Sequence, residues 1–106
     1  MAEFVQVITT CERADDAKRI GEELVKRRVC PCAQVIGPLS SVYWWKDSLQ
    51  ASEEWYCIVK AKKERFNEVE TIIKANHTYE VPEIIALPIV MGSDSYLSWM
   101  SKETER

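Results

Sequence analysis

The chain has one histidine, His77, three glycines, and no apolar run near the ~20 residues needed to cross a bilayer. Any imidazole chemistry therefore centres on a single residue, and no membrane partner is expected. Basic charge is not in excess: 14 Lys and Arg face 17 Asp and Glu, for a net charge of -3. That leaves no positive field and no basic track interleaved with exposed aromatics, so nucleic acid is not an expected partner. The start, Met1-Ala2-Glu3, lacks the basic and apolar regions of a secretory leader. The expected location is the cytosol. The four cysteines, Cys11, Cys30, Cys32 and Cys57, include a CxC but no CxxC pair of the kind that builds zinc ribbons. With 46% hydrophobic residues over 106 positions, a single domain (residues 1–106) can fill its own core without disulfide staples, so reduced thiols are expected.

The remaining composition is well patterned. Phe4 to Thr10 reads as a short strand, and from Ala14 the residues Ala17, Ile20, Gly21, Leu24 and Val25 recur at helical spacing, with Asp15, Asp16, Lys18 and Arg19 on the outer face. Cys32 to Trp45 and Trp55 to Ala61 are rich in β-formers and are joined through the turn chemistry of Lys46-Asp47-Ser48, which predicts an antiparallel hairpin. Arms of about 14 residues at roughly 3.3 Å each would span about 45 Å, against a diameter of roughly 35 Å for a compact domain of this size. The hairpin should overhang its own domain, with a bulge or bend at Gly37-Pro38. Glu64 to Asn76 carries a second helical stripe, Phe66, Val69, Ile72 and Ile73. Ile84 to Val90 shows no polar alternation, which predicts a strand buried on both faces, and Ser93 or Asp94 should cap a last helix bearing Tyr96, Leu97, Trp99 and Met100. The order β-α-β-β-α-β plus a C-terminal helix is the ferredoxin-like, split βαβ pattern of the α+β class. Two helices cover only one face of such a sheet, so the cover for the last strand is most simply another copy of the chain.

Two segments concentrate chemistry. Asn76-His77-Thr78-Tyr79-Glu80-Val81-Pro82-Glu83 brings an imidazole, a phenol and carboxylates together, and Tyr43-Trp44-Trp45 places three aromatics before a polar turn. The aromatics could stack a planar ligand or fill an oligomer interface. Glu53 and Glu54 read as solvated charge or intersubunit pairs. A cysteine nucleophile beside the histidine has one candidate near a helix N-terminus, Cys11.

Ser41-Val42-Tyr43-Trp44-Trp45, Glu53-Glu54, the run from His77 to Glu83, and the spaced Tyr96 and Trp99 occur in an order that resembles the CutA family of divalent-cation tolerance proteins. The resemblance implies a ferredoxin-like subunit of a homotrimer whose hairpins reach around neighbours, similar in architecture to PII signalling proteins, with a role in copper and divalent-metal tolerance and no established reaction. The chain departs from the family at Thr78, where proline is usual, at Lys46-Asp47, where an acidic residue and glycine are usual, and at Cys30-Pro31-Cys32. Thr9 stands where some members carry a cysteine proposed to bind copper. Imidazole and thiolate suit copper and zinc, so His77 with Cys32 is the candidate metal pair, aided by Tyr79 or Glu83 and with Cys30 on the same side by strand period. The competing readings are a histidine that fastens a helix end and a cysteine that packs as a small hydrophobe. Tyr43, Trp44, Trp45, Trp55, Tyr79, Glu83 and Trp99 are the expected cleft or interface residues. The expected function is a non-enzymatic, metal-responsive homotrimer that binds copper or another divalent ion. The alternative is a PII-like sensor that binds a small metabolite in intersubunit clefts.

Overall fold

The computed structural model describes residues 3–105; Met1 and Ala2, part of the segment read for a leader, lie outside them. The elements run β1 (Phe4–Cys11), α1 (Ala14–Lys26), β2 (Ala33–Trp45), β3 (Ser48–Lys62), a 3-10 turn (Lys63–Arg65), α2 (Phe66–Asn76), β4 (Ile85–Ile89) and α3 (Asp94–Glu103). The strands form one antiparallel sheet in the order β2-β3-β1-β4, the ferredoxin-like arrangement that the element order predicts.

Strand alternation divides β1 between two faces. Val5, Val7 and Cys11 join Ala17, Ile20 and Leu24 of α1 and Val69, Ile72 and Ile73 of α2 in the core. Gly21 lets α1 lie close against β2, because a Cβ there would sit 2.7 Å from that of Ala33. Asp16 corrects the expected outer face of α1: it is buried, and Arg19 Nη1 donates to its Oδ1 at 2.9 Å while Arg13 Nε lies 3.6 Å from Oδ2. The helix ends in a Schellman motif, with Val29 N–H donating to Leu24 O and Arg28 N–H to Val25 O, and with Arg28 at φ 60°. At the start of α3, Ser93 is the N-cap, and its Oγ accepts from Tyr96 N–H.

The third strand begins at Ser48, seven residues before the expected Trp55. β1 pairs with β3 only from Trp55 to Lys62, so Ser48–Glu54 and Leu39–Trp45 pair solely with each other and project past the sheet. The long axis is 45 Å, as the strand lengths require. The ladder register shifts between Ile36 and Leu39, at the Gly37-Pro38 step. A Cβ on residue 37 would run into the Trp55 indole, which explains glycine there.

Two further expectations are corrected. Within this chain β4 is not buried on both faces; it is a sheet edge paired only with β1, and Ile85 and Leu87 are nearly half exposed. Cys30 and Cys32 do not share a strand face, because both precede β2: Cys30 is buried in the core, whereas Cys32 is half-buried with Sγ 3.6 Å from Tyr96 Oη. All four cysteines are unpaired.

Candidate functional site

His77 is the C-cap of α2, where the chain leaves the helix for the segment that leads into β4. Tyr79 N–H donates to its Nδ1 at 3.0 Å, which leaves the ring proton on Nε2; that nitrogen donates to Thr10 O at 2.9 Å. The imidazole is therefore neutral and fastens this segment to the end of β1. Cys11 Sγ lies 3.8 Å from the same Nε2. Burial pulls the histidine below its ordinary pKa, partly offset by the Thr10 carbonyl. Burial first, and the Asp16 carboxylate second, push the Cys11 thiol up to about 11, so at neutral pH it is a protonated, inert thiol.

Cys32 stands elsewhere. It precedes Ala33, which pairs with Val59, whereas Cys11 pairs with Trp55, four residues away along β3 and roughly 13 Å at strand spacing. One chain thus brings His77 to Cys11 and leaves Cys32 in a cleft of about 470 Å³ between α1 and β2. No group of three or more His, Cys, Asp or Glu side chains gathers among the described residues. The four-coordinate site that zinc prefers is not built among the described residues of one chain. The Cys11 and His77 pair fits a soft ion of low coordination number, provided that the thiol proton and the Thr10 hydrogen bond are given up.

From His77 the segment wraps to the other face of the sheet. Tyr79 Oη donates to Glu54 Oε2 at 2.6 Å, and burial together with this bond raises the phenol far above its ordinary pKa. Glu54 is 6% exposed, while its neighbour Glu53 is on the surface. For Glu54 this corrects the solvated-charge alternative, the other having been an intersubunit pair: adjacent strand residues face opposite ways, and Glu54 faces the groove on the side of the sheet away from Cys57 and Val59. Tyr43, Trp44, Trp45, Tyr79, Glu83 and Glu54 line one groove of about 880 Å³ between the hairpin and the segment 78–83. Of the other expected cleft residues, Trp55 packs on the core of the helix-covered face, and Trp99 stacks on Tyr96 of α3 with ring centroids 5.5 Å apart. The sequence reading offered Cys11 beside the histidine as a nucleophile candidate but chose Cys32 for the metal pair, and it missed Glu54 as the anchor of Tyr79, for which alternation in β3 was the one available signal.

The model of the CutA1 divalent ion tolerance protein family matches residues 5–103. The chain belongs to the CutA family. The divalent-cation tolerance protein CutA of Archaeoglobus fulgidus is 32% identical over 105 residues, which is 99% of this chain and 100% of that protein. Chloroplastic CutA proteins of Oryza sativa subsp. japonica and Arabidopsis thaliana are each 32% identical over 100 residues, 94% of this chain. The chain spans just over half of those two relatives, 56% and 55% of their lengths. The structure of the periplasmic divalent cation tolerance protein CutA from Archaeoglobus fulgidus superposes with a TM-score of 0.92 at 31% identity, covering 96% of this chain and 99% of that one. These names correct the expected cytosolic location: family members are described as chloroplastic and as periplasmic, so CutA membership gives no support to a cytoplasmic assignment. No helix among the described residues is long and apolar enough to cross a membrane.

Proposed function

We propose that the chain is a non-enzymatic homotrimer of the divalent-ion tolerance type that binds copper or another divalent metal ion, with His77 as the principal ligand. The observation that carries this reading is the imidazole and thiol pair at 3.8 Å beside the sheet end, in a family named for divalent-cation tolerance. Cys11 supplies the sulfur available within one chain; Cys32 joins His77 only where a second copy carries it there. A buried thiol pushed up to about 11 is a poor nucleophile, which speaks against covalent catalysis by the Cys11 and His77 pair. The trimer is supported by apolar surface that one chain leaves open, including Leu87 at 48% and Val90 at 80% exposure beside the β4 edge.

Competition titration of copper(I) against a chelator tests the ligand set. His77→Ala is expected to weaken binding by more than the ~100-fold typical of outer-sphere changes. Cys11→Ser should cost more than Cys32→Ser if one chain forms the site, and the reverse order would place the site between copies. Equal affinity in wild type and His77→Ala would remove His77 from the site altogether. The second reading, a PII-like sensor of a small metabolite, is favoured by one observation: the groove of about 880 Å³ has the size of a metabolite pocket.

A further inference from the structure

We propose that the groove between the hairpin and residues 78–83 binds a small organic ammonium ion, held against aromatic walls with the Glu54 carboxylate as its counter-charge. This rests on the metabolite reading of the groove and names the chemical class of its ligand; it is independent of the metal reading.

Glu54 carries the first part of the argument. A carboxylate this deeply buried is costly unless charge or several donors compensate it. Among the described residues its one hydrogen bond is from the neutral phenol of Tyr79. The groove lining includes Glu54, Glu80 and Glu83 and no lysine or arginine, so the field inside favours a cation.

The kind of cation follows from the other donors. A hard divalent ion wants six or more oxygens around it, and no cluster of three acidic, histidine or cysteine side chains gathers among the described residues. Near Glu54 the lining is aromatic instead: Tyr79 donates to it, Tyr56 follows it on the same strand face, and Tyr43 Oη lies 3.3 Å from Ser52 Oγ, two residues before it on that face. Rings with negative faces beside one carboxylate suit an ammonium group that carries apolar substituents, because such a cation is weakly hydrated and loses little on leaving water. The groove has room for the ammonium group and for further atoms attached to it.

An independent observation shows the same chemistry already in use at the rim. Lys46 Nζ sits 5.4 Å from the centroid of the Trp45 ring and 3.8 Å from Glu80 Oε2, between two residues that line the groove. The chain's own ammonium group thus rests on an aromatic face beside a groove carboxylate.

The test is calorimetric titration of chelator-treated full-length protein with choline and with the neutral isostere in which carbon replaces the quaternary nitrogen. Choline should bind about tenfold more tightly or better. Glu54→Gln keeps an acceptor for Tyr79 and removes the charge, so the preference should shrink to within about threefold. Circular dichroism checks that this variant is folded. Equal binding of the two probes would leave the groove a metabolite site but overturn the ammonium assignment. Saturable binding of neither, or a choline preference that survives Glu54→Gln, would overturn it as well.

Discussion

His77 commits both ring nitrogens to the backbone, accepting from Tyr79 and donating to Thr10, so its removal leaves a carbonyl and an N–H without partners. His77→Ala should lower the unfolding free energy at pH 8 by about 1–3 kcal/mol, read from urea midpoints. The pH dependence has a definite sign. The folded-state pKa lies below the ordinary value of 6.5, so the unfolded chain takes up the proton first. The stabilisation from His77 is complete above that value and is lost as pH falls through it towards the folded pKa. Asp16, held below its ordinary 3.8 by Arg19, adds a second loss at lower pH by the same rule for a depressed carboxylate. Wild type should therefore lose more stability between pH 8 and pH 5 than His77→Ala, and parallel losses would show that the histidine is not the titrating group. Sequence singled out this residue because it is the sole imidazole, and it offered helix-end fastening beside metal ligation. Which sulfur stands beside it was not legible: Cys11 and Cys32 were both offered, and Cys11, 66 positions from His77, meets it only once α2 packs at the end of β1. Glu54 was hidden in a different way, since two adjacent acids look alike in sequence and differ only in which strand face each occupies.

The hairpin shows what an element gains and loses against its local sequence. Lys46 and Asp47 both adopt positive φ, 51° and 64°, as a two-residue hairpin turn demands, although neither is glycine. Asp47→Gly should therefore stabilise the fold by about 1 kcal/mol, a rise visible in the thermal midpoint. No change would mean that Asp47 makes compensating contacts. Aromatic and β-branched residues made β2 legible almost to the residue. The first half of β3 was not, because Ser48, Gln50, Ser52, Glu53 and Glu54 lack strand propensity and are held by pairing with β2 alone. The short β4 was legible as a strand but not as an edge, since an apolar run without alternation reads the same whether its cover is in the chain or outside it. Pro88, which offers no N–H, sits within it and blunts that edge.

At the scale of the molecule, the extents of 45 × 25 × 22 Å describe a body drawn out by one hairpin, with apolar side chains such as Val42, Trp44 and Leu49 on the projecting part. Light scattering should return three times the chain mass of 12.3 kDa. Leu87→Asp, on the exposed β4 face, should raise the dissociation constant about 30-fold, in line with loss of an interface anchor worth ~2 kcal/mol. The same charge placed at the exposed Lys18 of α1 should leave assembly unchanged. A monomer at micromolar concentration would remove the trimer. The strand order bears on synthesis too. β1 lies between β3 and β4, so one of its edges stays unpaired until residue 89 has been made, well after Lys62 closes the other. At ~5–20 residues per second, a nascent chain shows that open edge for about a second or more. Neighbouring ribosomes on one message would hold identical edges side by side, so crowding during translation is when this fold is most exposed to pairing with the wrong copy.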